Sequence, residues 1–321
     1  MIIVTGGAGF IGSSFISYLN SIQIYDILII DHIKSVEKAN NIKNLKFKDI
    51  VDKSIFLENL DQYIKDTNYV MHLGACTNTL CQDKEYLIKN NFEYSKNLLL
   101  KCIELTIPFY YASSASVYGL GKKGFQEDFK NLDPINPYAN SKFLFDQFVS
   151  QFINKTECPI LGFRFFNVFG PNESHKKNMS SPVYKFYTQA KTKGIINVFN
   201  KFKSYQLNDY LRDFIYIDNA VHMMNDLIYS KTSGIFNIGS GNANSFYQIA
   251  CIIRDWFDKN NNKNINIELI NFPEELENQY QFFTQADLSF YKKFQKFENF
   301  LSFNESVINC LDKLSNLDSK I

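Results

Sequence analysis

Three groups of residues have the types and spacing to do chemistry. The first is Thr5-Gly6-Gly7-Ala8-Gly9-Phe10-Ile11-Gly12. Gly6, Gly9 and Gly12 permit a tight turn and a close backbone approach to a pyrophosphate. The free N–H groups of a following helix would hold the anion. Asp31 lies 19 residues past Gly12, where a carboxylate can accept from a ribose 2′-hydroxyl. His32, Lys34 and Lys38 follow it, and cations there suit a 2′-phosphate. The residues alone leave NAD and NADP both open. The second group is Tyr138-Ala139-Asn140-Ser141-Lys142, whose spacing of four puts Tyr138 and Lys142 on one helical face. A free phenol titrates near 10, so a neighbouring ammonium and an oxidised nicotinamide would be needed to favour the phenolate. The third is Ser114, expected at the C-terminal end of a strand, where its hydroxyl can bridge a substrate hydroxyl and Tyr138.

These residues need strands that end together and helices that start there. Apolar segments predict strands at 2–5, 26–31, 45–48, 69–73, 108–112 and 160–166. Helices are predicted at 10–20, 86–106 and 137–153. Such alternation means an α/β fold, a doubly wound parallel (Rossmann) sheet covered on both faces. After about Gly170 the alternation loosens. Residues 171–181 are polar, 199–210 read as a loop, and 259–266 are Asn-rich. Helices are predicted at 183–193, 219–229 and 246–257, with short strands at 214–217 and 235–238. The expected division is a dinucleotide-binding domain, 1–170, and a smaller irregular α/β part, 171–321. The latter mainly binds substrate and returns some segments to the sheet.

The 321 residues carry 34 Lys+Arg against 33 Asp+Glu, which excludes a broadly basic nucleic-acid-binding surface. Six cysteines show no zinc-site spacing, so no metal is expected. No apolar run reaches the ~18 residues of a membrane span. The start, MIIVTGG, lacks a basic region and cleavage site, so a cytoplasmic protein with reduced thiols is expected.

The glycine loop, Ser114 and Tyr-x-x-x-Lys together resemble the extended short-chain dehydrogenase/reductase (NAD-dependent epimerase/dehydratase) family over essentially the whole chain. Further segments narrow the resemblance to its ADP-heptose 6-epimerase group. They include His72 to Thr77, Asn90 to Lys96, Gly162 to Pro171 with His175-Lys176, Arg212-Asp213-Phe214 and Gln279 to Leu288. The resemblance implies an isomerase that prefers NADP. Phe10, Ile11, Asp31, His32, Lys38, Lys53, Leu73, Gly74, Ala75, Cys76, Thr77, Asn90, Lys142 and Val168 would contact the dinucleotide. Tyr138 and Lys176 would be the two acid/base residues, assisted by Ser114, with Asn167, Lys176, Asn178, Lys185, Arg212 and Tyr280 lining the ADP-heptose site. It also implies a homo-oligomer, a pentamer, serving lipopolysaccharide core synthesis. Leu73 stands where relatives often carry Glu, Lys185 where a His is common, and 199–208 departs from the usual loop. Ala115-Ser116 replaces the Asp-Glu pair of the 4,6-dehydratases, and the retained Tyr138 and Lys142 speak against a non-catalytic regulator. A UDP-hexose 4-epimerase is the nearest rival reading.

Overall fold

A computed structural model of the chain describes residues 1–200, 209–261, 263–273 and 281–318. Its strands are β1 (Ile2–Thr5), β2 (Ile27–Ile30), β3 (Asp49–Val51), β4 (Tyr69–His72), β5 (Phe109–Ser114), β6 (Ile160–Phe165), β7 (Asn167–Phe169), β8 (Ile195–Phe199), β9 (Leu211–Tyr216), β10 (Gly234–Ile238), β11 (Ala243–Ser245) and β12 (Asn266–Ile270). Seven form one sheet in the order β10-β6-β5-β4-β1-β2-β3, every neighbouring pair parallel. This is the doubly wound α/β fold. β1 and β2 are buried throughout because helices cover both faces. Ile2 and Val4 point into one core with Phe15, Ile16 and Leu19, while Ile3 points into the other with Leu98, Leu99, Phe145 and Val149. Strand order reverses between β1 and β4, and ligands bind at such a switch point, beyond the strands' C-terminal ends.

The helix Pro137–Ser150 is placed with particular care. Asn136 caps it by accepting from the Ala139 amide at 2.8 Å, and Pro137 opens it. Its Asp146 is fully buried against Arg164 of β6, with Nε donating to Oδ2 at 2.8 Å. The Tyr111 hydroxyl of β5 donates to the other Asp146 oxygen at 2.8 Å. The helix is thereby tied to the two strands beneath it.

Elsewhere the structure departs from the expected elements. The third strand is β3 rather than 45–48; Leu45 and Phe47 pack on the core, but pairing with β2 starts only at Lys48, whose amide donates to the Ile27 carbonyl at 2.8 Å. The long helix after β4 is broken into Lys84–Leu87, a π-helical turn Ile88–Glu93, and Tyr94–Glu104. β5 runs two residues past its expected end at Ala112, and Ser114 is its last residue. The helix Phe246–Asn261 continues into the Asn-rich stretch read as a loop. Beyond β6 the chain adds a small sheet β11-β9-β7 and a parallel pair β8-β12. β10 returns to extend the main sheet beside β6. No described helix is long and apolar enough to cross a membrane.

Candidate active site

The glycine turn after β1 forms a cradle that side chains would fill. Gly6 has φ +68°, and a Cβ on it would lie 2.7 Å from the Gly74 nitrogen. A Cβ on Gly12 would meet the Gly6 carbonyl oxygen and lie 2.8 Å from the Gly7 Cα. Gly9 caps the helix Phe10–Ser21 without a side-chain hydrogen bond, and no acidic residue occupies its first turn. That terminus is therefore fitted to an anion such as a dinucleotide pyrophosphate. Asp31, beyond β2, accepts from the Ala8 amide at 2.9 Å and pairs with the Lys38 ammonium. The His32 amide donates to Asp31 Oδ1 at 2.6 Å, and its Nδ1 contacts Asp52 Oδ2 at 2.6 Å. Asp52 caps the next helix; the Ser54 amide, and then His32, hold its carboxyl below the usual range.

A buried relay fixes the loop 73–77 that follows β4. The Gly74 amide donates to Thr5 Oγ1 at 3.0 Å, and Thr5 Oγ1 lies 2.6 Å from His72 Nδ1. His72 Nε2 lies 2.8 Å from Ser95 Oγ, which donates to the Asn91 carbonyl at 2.8 Å. Since the Ser95 proton goes to Asn91, Nε2 carries the ring proton and Nδ1 accepts from Thr5. Burial, and then the Lys142 charge, push His72 down to about 3, so it stays neutral. Asn91, in the π-helical turn, accepts from the Cys76 amide at 2.8 Å and donates to the Cys76 carbonyl at 3.1 Å. The same amide nitrogen donates to Ser141 Oγ at 3.0 Å. Next to it, Lys53 donates to Asn90 Oδ1 at 2.9 Å.

Tyr138 is buried with its hydroxyl in reach of Ser114. Burial pushes the phenol up, and the Ser114 hydrogen bond opposes this more weakly. The expected lowering by an ammonium does not dominate; Lys142 turns its Nζ to the Ala112 carbonyl at 2.9 Å. Burial pushes Lys142 itself down to about 8, against the opposing charge of Asp146. Nearby, Ser113 Oγ and Ser116 Oγ are buried without a hydrogen-bond partner among the described residues.

Lys176 reaches the same space from a short 3₁₀ segment, Ser174–Met179. Its ammonium lies 2.9 Å from Glu173 Oε2 and 5.0 Å from the centroid of the Phe10 ring. Asn41 donates to His175 Nδ1 at 3.1 Å and to the Ala8 carbonyl at 3.1 Å, joining this segment to the glycine turn. Arg212 of β9 is buried. A single cavity of about 900 Å³ runs from the glycine cradle past Tyr138 and Lys176 to Arg212. Asn167, Val168, Asn178 and Lys185 line it as well, together with all the other expected site residues that are described. Tyr280 lies outside the described residues, as do 201–208 of the divergent loop. Asn91, His72 and Glu173 were not anticipated as organisers of the site. The motif segments around Asn91 and His72 and the nearby His175-Lys176 pair were the available signals.

Residues 2–239 match the model of the NAD dependent epimerase/dehydratase family. The chain belongs to this family. It is 42% identical to the ADP-L-glycero-D-manno-heptose-6-epimerase of Brachyspira hyodysenteriae, over 90% of this chain and 89% of that one. Among solved structures it superposes on Helicobacter pylori ADP-L-glycero-D-manno-heptose-6-epimerase with TM-score 0.81, at 24% identity, covering 98% of this chain and 96% of that one. It superposes on the UDP-N-acetylglucosamine 4-epimerase of Methanobrevibacter ruminantium with TM-score 0.83, at 23% identity, covering 100% and 98%. A third match is Bacillus cereus UDP-glucuronic acid 4-epimerase in complex with UDP-glucuronic acid and NAD, with TM-score 0.78, 24% identity, and coverage of 98% and 99%. A nicotinamide dinucleotide is the cofactor that the family's description gives.

Proposed function

We propose that this chain epimerises C6″ of ADP-D-glycero-D-manno-heptose to the L-glycero form, with a resident NADP. The observation that carries the reading is that Tyr138 and Lys176, two proton-handling groups from different elements, face one cavity built on a dinucleotide cradle. The relative from Brachyspira hyodysenteriae supports the choice of substrate. When bound, the dinucleotide supplies reversible oxidation and reduction of the reacting carbon. The protein's task is to manage protons and exposure. One of Tyr138 and Lys176 accepts the C6″ hydroxyl proton as the carbon becomes a planar ketone. Rotation about the exocyclic bond presents the other face, and the second residue returns a proton there. Ser114 hydrogen-bonds the reacting oxygen, and Lys142 holds the ribose beside Tyr138. Arg212, Lys185, Asn167 and Asn178 line the part of the cavity that takes the sugar nucleotide. Residues 1–170 form the dinucleotide domain and 171–321 mainly the sugar-nucleotide part.

Lys38 supports NADP over NAD. Its ammonium cancels the Asp31 charge that would repel a 2′-phosphate. Denaturing the purified protein should release NADP; recovery of NAD alone overturns this preference. The family resemblance extends the proposal to a pentameric cytoplasmic enzyme supplying heptose for lipopolysaccharide core, and light scattering measures the assembly. The reaction is tested by incubating the protein with ADP-D-glycero-D-manno-heptose and following C6″ by NMR. Tyr138→Phe and Lys176→Met should each cost about 10²–10⁴-fold, the range of a lost acid–base group. A Lys176→Met variant that epimerises at the wild-type rate refutes the two-residue scheme.

A further inference from the structure

We propose that Glu173 is the positioning residue that holds the Lys176 ammonium ready for proton transfer; this rests on Lys176 being the second acid–base group. Glu173 is completely buried. An ionised carboxylate there is costly unless donors surround it, and they do. Oε1 accepts from the Gly170 amide at 3.2 Å and the Ser181 hydroxyl at 2.6 Å. Oε2 accepts from the Ser181 amide at 2.7 Å and Lys176 Nζ at 2.9 Å. Three of these donors sit on the backbone or one carbon from it at the two ends of the segment, so they fix the carboxylate in place. The fourth ends a flexible four-carbon stem. The rigid group therefore sets where the mobile one rests.

The segment is shaped for this arrangement. Lys177 adopts φ +48°, a left-handed turn directly after Lys176, and its own side chain is exposed. Lys176 alone of the pair is drawn inward, between Glu173 and the Phe10 ring at the mouth of the glycine cradle. Ser181 also caps the helix Pro182–Lys193, which carries Lys185. Glu173 thus joins a staple for the segment to a seat for its ammonium, and the two roles make different predictions.

A double-mutant cycle separates them. Glu173→Gln keeps the shape and an acceptor for Ser181 but removes the charge. Epimerisation is followed by NMR, with kcat, KM and dinucleotide content measured in four proteins: wild type, Glu173→Gln, Lys176→Met and the double variant. We expect Glu173→Gln to lower kcat by about 10- to 100-fold, matching the coupling of directly contacting groups. KM and dinucleotide content should stay close to wild type. In the Lys176→Met background the same substitution should cost nothing further. Equal fold-losses in both backgrounds would overturn the proposal and leave Glu173 a structural staple. If Glu173→Gln does not fold, Glu173→Asp takes its place: it keeps the charge but shortens the reach, and the same two outcomes decide. A fully active Lys176→Met would instead defeat the two-residue reaction itself, a failure distinct from additivity in the cycle.

Discussion

His72 gives a prediction whose size can be worked from its surroundings. Replacing it with Phe keeps a flat ring beside Tyr94 and Phe109, whose centroids lie 5.7 and 5.9 Å away, and removes both nitrogens. Burial lowers the imidazole from 6.5 to about 3 in the folded chain. Between those values the unfolded chain binds a proton that the folded chain refuses, so stability falls as pH falls. Each pH unit within the window costs about 1.4 kcal/mol, reaching about 5 kcal/mol once the pH is below both values. From pH 6 to pH 5 the wild type should therefore lose about 1 kcal/mol more than His72→Phe. His175 and His222 are also lowered by burial, but both proteins keep them and the difference cancels their contribution. The variant itself should be less stable at pH 7 by about 1–3 kcal/mol, because Thr5 and Ser95 each lose a buried partner. Urea unfolding at a series of pH values, followed by circular dichroism, measures both effects. Parallel pH slopes would show that His72 is not a buried neutral ring and would break the relay drawn from Thr5 to Asn91.

Other outcomes follow from the same geometry. Gly12→Ala places a methyl group against Gly6 and Gly7 and should abolish co-purification of dinucleotide, measured by chromatography of the denatured protein; retained nucleotide would refute the cradle. Lys142, pushed down to about 8, should lose its proton as pH rises through that value, so kcat/KM should fall on the alkaline side, and Lys142→Arg should move that limb upward. For the same group, stability should rise between about pH 8 and 10.5, where the unfolded chain still holds the proton that the folded chain has released. Asp146→Ala strands the buried Arg164 guanidinium and should cost about 3–5 kcal/mol in chemical denaturation.

The parts of the fold legible in the sequence are those where one physical demand acts alone. β1 and β2 read clearly because both faces are buried and the apolar run is unbroken. β3 did not, since Leu45 and Phe47 satisfy the core without pairing, while the paired edge begins at an exposed Asp49. No residue type announces the extra residue of a π-helical turn, so Ile88–Glu93 was read as ordinary helix. That the glycine loop, Ser114 and Tyr138-x-x-x-Lys142 would share one cavity was legible, because the chemistry expected of them demands set spacings. The contact of His32 with Asp52, 20 residues on, is set by the pairing of β2 with β3 and has no signal in the local sequence. Nothing in the polar stretch 171–181 sets Glu173 apart; its burial between Gly170 and Ser181 appears only in the fold.

Asn91 ties the loop 73–77 to the helix that carries Tyr138. Its single side-chain amide grips both main-chain groups of Cys76 and the hydroxyl of Ser141, three residues beyond Tyr138. Ser141 in turn donates to the Tyr138 carbonyl at 2.7 Å. The loop after β4 and the first turns of the helix Pro137–Ser150 therefore share one side chain. A substitution at Asn91 withdraws a support from both at once, so the placement of Cys76 and the placement of the Tyr138 backbone stand or fall together.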